Sequence, residues 1–160
     1  MKLKTIVGSL ATEVTGTDQA GGRWFELRRN GAVSWSPFQQ GTYSPNSTNR
    51  WMSSVAMDKS GDIALGYSVS SSAVSPGLSY TGRTAAAAAG TMPETETAIV
   101  AGVGKDSSNR YGDYHHMSID PADDCTFWFT GMRANSNTWA TQVAAFKFDT
   151  CGAAPTCTDG

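Results

Sequence analysis

Charge is scarce in this sequence. Asp, Glu, Lys and Arg make up 16% of its 160 residues, 12 basic against 14 acidic, for a formal charge of −2. No run is rich in Lys or Arg, so the electrostatic footprint of a nucleic-acid or anionic-membrane binder is missing. No apolar stretch approaches the ~20 residues of a membrane-spanning helix, so membrane insertion is not expected. The opening MKLKTIVGSLA carries two lysines and a short apolar stretch, but Gly8 and Ser9 interrupt it, and it is not read as a signal peptide. Histidine occurs twice, too few for a zinc site built on several imidazoles.

What the chain has instead is glycine (17 residues) and short polar side chains, a composition suited to many short strands joined by turns. A chain of this length is most simply one domain. Three cysteines leave one odd; with the sequon Asn46-Ser47-Thr48 they fit a disulfide and an extracellular, secreted setting.

The sequence also repeats. Ser53–Ser68 overlays His115–Thr130 without a gap at an offset of 120 − 58 = 62 residues. Asp58 then falls on Asp120 and Asp62 on Asp124, while Val55, Met57, Ile63, Leu65 and Tyr67 fall on Met117, Ile119, Cys125, Phe127 and Phe129. All these apolar positions are odd-numbered, the alternation of strands with one apolar face. Each copy reads strand, tight turn (DKSGD or DPADD), strand, with Gly61 and Pro121 inside the turns. Asn-Arg-aromatic precedes each copy, as NRW (49–51) and NRY (109–111).

GLSYTGR (77–83) and TQVAAFKF (141–148) follow as a further strand, and RWFELRR (23–29) looks like a third version of it. WSPFQQGTYSP (35–45) corresponds in the same way to ETAIVAGVG (96–104). With four strands per unit labelled A to D, the chain reads B-C-D, A-B-C-D, A-B-C, in units of about 6–45, 50–104 and 111–149 within residues 1–151, and a tail over 152–160. The expected fold is all-β, about two and a half four-stranded antiparallel propeller blades. A β-sandwich is the competing architecture. Helix should be nearly absent, because TAAAAAG (84–90) is too short to hold one alone. So few blades leave strand edges unpaired, which implies either the remainder of a larger propeller or self-association of copies.

RWMSSVAMDKSGDIALGYSVSSS, GLSYTGR, GTMPETE and YGDYHHMSIDPADDCTFWFT resemble secreted bacterial β-propeller proteins of the sialidase-like, BNR-repeat type, over roughly residues 6–151. The resemblance implies the last blades of a propeller. The Asp-box turn of sialidases is present only as a trace in NGAVSW (30–35), a departure that bears on activity.

The candidate chemistry is limited. His115 and His116 are consecutive on an expected strand and point to opposite faces, so they do not jointly hold one ion. Asp58, Asp62, Asp120, Asp123 and Asp124 bracket turns, where Asp bonds nearby backbone. Calcium is the ion such oxygens suit, but DPADD lacks the spacing of a calcium loop, so no cofactor is expected. Cys125 opens one strand and Cys151 follows its partner, with the midpoint (125 + 151)/2 = 138 inside RANSNTW, which predicts a disulfide between them. Cys157 is then left over.

The functional candidates are Arg50, Trp51, Arg110, Tyr111, Asp113, Tyr114 and His115, on loops that gather at one end of a propeller beside 70–76 and 133–139. Aromatic faces stack on sugar rings or side chains, and Arg and Asp supply directed hydrogen bonds; the same residues also suit packing between blades. The expected function is non-catalytic carbohydrate or protein binding, with self-assembly. One alternative is part of a sialidase-like glycoside hydrolase, for which Glu26, Glu94 and Glu96 are expected away from the loop end. The other is a self-assembling surface or filament protein.

Overall fold

The computed structural model describes residues 3–16, 18–107 and 110–152. Cys157, Asn109 of the NRY motif and the tail from 153 onward lie outside them. Ten strands make three antiparallel sheets, and no helix occurs among the described residues. The first sheet runs β1 (Leu3–Glu13), β2 (Ala20–Asn30), β3 (Ser36–Tyr43). The second runs β4 (Asn49–Met57), β5 (Ile63–Ser71), β6 (Val74–Arg83), β7 (Thr97–Val100). The third contains β8 (His116–Ile119), β9 (Phe127–Ala134) and β10 (Trp139–Phe146), with β9 in the centre. TAAAAAG forms turns closed by Ala87 N–H to the Thr84 carbonyl (3.1 Å) and held by Ala85 N–H donating to Asp62 (2.6 Å).

The second sheet lies between the other two and is buried on both faces. Odd residues Val55, Met57, Ile63, Leu65 and Tyr67 pack with Trp24 and Met92 in the layer shared with the first sheet. Even residues Ala56 and Ala64 join Leu78, Met117, Phe127 and Phe129 in the layer shared with the third. Small residues on that side let the third sheet come close. A Cβ at Gly66 would stand 2.6 Å from the Phe129 ring, and one at Gly131 would stand 2.8 Å from Leu78.

Successive sheets meet through their first strands. β1 packs on β4 and β4 on β8. The Ser9 hydroxyl donates to the Ser53 carbonyl (3.0 Å), and Met117 N–H donates to the Ser54 hydroxyl (2.9 Å). β1 therefore stands where a first strand stands, although the sequence repeat gives it the second place. Similar strand patterns do not record which neighbouring strand is missing, so the sequence could not separate the two assignments.

The 62-residue overlay preserves faces but not pairing. It predicts Met117 opposite Phe127, by analogy with Val55 opposite Leu65; the structure pairs Met117 with Phe129 and Ile119 with Phe127. The turn has grown from 58–62 to 120–126. Asp123 accounts for the growth: its carboxylate accepts from Cys125 N–H and Thr126 N–H (both 2.9 Å) and from the Thr126 hydroxyl (2.7 Å). Asp124 adopts φ 55°, a left-handed conformation that Asp tolerates. A slip of two residues leaves every side chain on its original face, which is why the odd-numbered pattern survives it.

Cys125 and Cys151 are joined by a disulfide. Closing a loop of 26 residues stabilises by about 3 kcal/mol through the unfolded chain. The bond is consistent with an extracellular protein.

Candidate functional site

The segment from Arg110 to His115 leads into β8 and lies beside the paired strands β9 and β10. Between them lies a cleft of about 350 Å³, lined by Asp113, Tyr114 and His115 on one side and Thr130, Met132 and Trp139 on the other. A second cleft, of about 340 Å³, adjoins it and adds Arg110 and Tyr111. These volumes lie at the lower end of the range for small-ligand sites.

Two side chains present aromatic faces to solvent there: Tyr114 is 86% exposed and Trp139 59%. Arg110 donates from Nε to Asp113 Oδ2 (3.0 Å), and its terminal NH2 reaches the same oxygen, so the charged pair at the rim is already ordered. Tyr111 is turned inward. Its hydroxyl donates to the Met132 carbonyl (3.1 Å), its ring meets Trp51 at 5.9 Å, and burial, with the nearby Asp106 charge, pushes its pKa up to about 12.

His115 lies just before β8, half-buried, and His116 opens that strand in the exposed class. Met132 N–H donates to His115 Nε2 (3.1 Å), and the ring stands edge-on to Phe129. Burial lowers the His115 pKa, favouring neutral imidazole. With Nε2 accepting, the proton sits on Nδ1. The Met52 backbone favours the charged ring, yet Nδ1 forms no hydrogen bond with it. Met52 itself has φ 50° at a break in the β4–β5 pairing, which brings the strand towards Gly112.

The structure thus gathers Arg110, Tyr111, Asp113, Tyr114 and His115 at one place. Trp51 supports the cleft from behind through Tyr111. Arg50 is elsewhere: it is 1% exposed and clamped by Glu96, with Nε to Oε2 at 2.7 Å and NH2 to Oε1 at 3.0 Å. It also donates to the Thr48 carbonyl (2.7 Å) and Asn46 Oδ1 (3.1 Å). Burial alone would lower its pKa, but the Glu96 carboxylate holds it above the ordinary value. Glu96, expected away from Arg50, is therefore its partner. Strand spacing cannot foresee this pair, because Glu96 precedes β7, which is separated from β4 by two strands.

Tyr67 completes the cluster by donating to Glu96 Oε2 (2.7 Å). Trp139, Thr130 and Thr141 enter the cleft without having been singled out, although 133–139 marks the right loop.

Asp58 and Asp120 bond within their own hairpins, whereas Asp62 accepts from Ala85 N–H and the Thr150 hydroxyl far along the chain. Asp58 Oδ1 accepts from Ser60 N–H (2.8 Å) and Asp62 N–H (3.0 Å); Asp120 accepts from Ala122 N–H (2.9 Å) and the Trp128 indole (3.0 Å). Among the described residues no three metal-ligating side chains cluster. Comparison with protein-family models, curated proteins and solved structures finds no match.

Proposed function

We propose that this chain is a non-catalytic, extracellular region of β-propeller type that binds carbohydrate in the cleft between Tyr114 and Trp139. The observation that carries the proposal is the pair of exposed aromatic rings, Tyr114 before β8 and Trp139 at the start of β10, that line one cleft beside the Arg110–Asp113 pair. A flat ring stacks on the apolar face of a sugar, and rim charges orient its hydroxyls. The blade reading is supported by three sheets in succession, each set on the next through its first strand.

The Arg50–Glu96–Tyr67 cluster favours a sialidase-like hydrolase by residue type alone. Its tyrosine argues the other way. Tyr67 is fully buried, and burial together with the Glu96 carboxylate pushes its pKa far up, the opposite of an activated nucleophile.

The test is a glycan array followed by calorimetry on the hits. Trp139→Ala and Tyr114→Ala should each weaken binding about tenfold with an unchanged far-ultraviolet circular-dichroism spectrum and urea midpoint. Binding indifferent to both substitutions, or hydrolysis of fluorogenic glycosides, would sink the proposal.

A further inference from the structure

Tyr114 and His115 line more than the cleft they share with Trp139. They also line a smaller cavity of about 180 Å³, whose other walls are Leu10 and Ala11 of β1 and Met52 and Ser53 of β4. The two residues are therefore a common wall between the two spaces. Alone, 180 Å³ falls below the volume of an ordinary small-ligand site. Beside the 350 Å³ of the larger cleft, it makes a second compartment of one site, drawn from all three sheets.

The smaller compartment carries two polar groups that the fold leaves unused. Ser53 Oγ and His115 Nδ1 are both buried and have no hydrogen-bond partner. The Ser53 carbonyl is engaged, accepting from the Ser9 hydroxyl (3.0 Å), so only its side chain is idle. In His115 the division is between the ring nitrogens. Nε2 accepts from Met132 N–H (3.1 Å), and a Cβ at Gly112 would stand 3.1 Å from it, so residues of the larger cleft enclose that side. The nitrogens of an imidazole point in divergent directions, which turns Nδ1, with its proton, away from Met132. Each unpartnered group costs free energy that the free protein does not recover. The rest of the wall, Leu10, Ala11 and Met52, is apolar. None of the six residues is Lys or Arg, and burial keeps His115 neutral, so a charged group would find no counter-ion there.

We infer that the smaller compartment is a second sugar subsite, and that the ligand is a neutral oligosaccharide of at least two units with Tyr114 at the junction between them. A sugar hydroxyl matches the idle pair: its oxygen accepts from Nδ1–H while its proton goes to Ser53 Oγ, and the C–H face of the ring lies against Leu10 and Met52. Both polar atoms are closed to bulk water in the free protein, so the unit is admitted by a turn of the Tyr114 ring, which at 86% exposure is little hindered. The inference rests on the glycan reading of the larger cleft and adds to it the length and charge of the ligand.

Calorimetry with the best oligosaccharide of the array and with its single-sugar end tests it. The oligosaccharide should bind about tenfold more tightly than the single sugar. Ser53→Ala removes a hydroxyl that has no partner in the free protein, so the urea midpoint should hold or rise. The same variant should lose about fivefold in oligosaccharide affinity and nothing in single-sugar affinity. Leu10→Trp, at a half-exposed position, fills the compartment and should bring the oligosaccharide down to the affinity of the single sugar. In spectra of histidine-labelled protein, the His115 Nδ1 signal should move with the oligosaccharide and stay in place with the single sugar. Equal affinity for the two ligands, or full oligosaccharide affinity in both variants, overturns the second subsite. The glycan cleft survives that outcome wherever Trp139→Ala still weakens binding. A protein that binds no glycan overturns the cleft and the subsite together.

Discussion

The two layers between the sheets are built from the same strand alternation and opposite chemistry. The layer between the second and third sheets is apolar: Phe127 stacks on Phe146 at 5.5 Å, Tyr80 stacks on Phe146 at 3.7 Å, and Phe129 lies over Gly66. The layer between the first and second sheets holds buried charge beside Trp24 and Leu65. Arg50 pairs there with Glu96, and Glu26, fully buried, accepts from Gln39 (2.6 Å) and Arg28 (2.5 Å). The first kind of layer depends on shape and the second on having every partner in place, because an unpaired buried charge costs several kcal/mol.

Substitutions should separate the two kinds. Phe129→Ala removes a fully buried ring with little room for collapse, and should lower the free energy of unfolding by about 4 kcal/mol in urea titrations. A loss below ~1 kcal/mol would mean that the layer re-packs freely. Glu96→Ala should cost about 3 kcal/mol by stranding the Arg50 guanidinium. The double change Arg50→Met, Glu96→Leu should recover most of that loss, since no charge remains to strand. If the double variant is as unstable as the single one, the pair contributes more than mutual neutralisation.

The smallest effect concerns pH at the cleft. His115 has a folded pKa below its unfolded value near 6.5, so the unfolded chain binds the proton more readily. The stability contributed by His115 is complete above pH 6.5 and is lost as the pH falls through 6.5 towards the depressed value. Urea midpoints should therefore drop between pH 7.5 and 5.5 more in wild type than in His115→Gln. Equal drops would show that the ring is solvated at both pH values.

Much of the fold was legible. Odd-numbered apolar residues identified the faces of β4, β5, β8 and β9, and the midpoint rule found the Cys125–Cys151 disulfide. The register of β8 on β9 was not legible, because the hydrogen bonds of Asp123 set the turn length and no side-chain pattern shifts with a slip of two. Residues 110–115 lie together along two adjoining clefts, whereas Arg50 lies apart from them on Glu96: a start-of-strand arginine reads the same whether it faces solvent or a distant carboxylate.

By itself the sequence determined an all-strand chain and the faces of β4, β5, β8 and β9, since alternation is local and each residue carries its own share of it. Only the tertiary structure decided which sheet each face meets, that Glu96 reaches Arg50 across the second sheet, and that Tyr114 and Trp139 line one cleft. These depend on the stacking of one sheet on the next, and the approach of two sheets is fixed by small residues such as Gly66 and Gly131 acting together from distant parts of the chain.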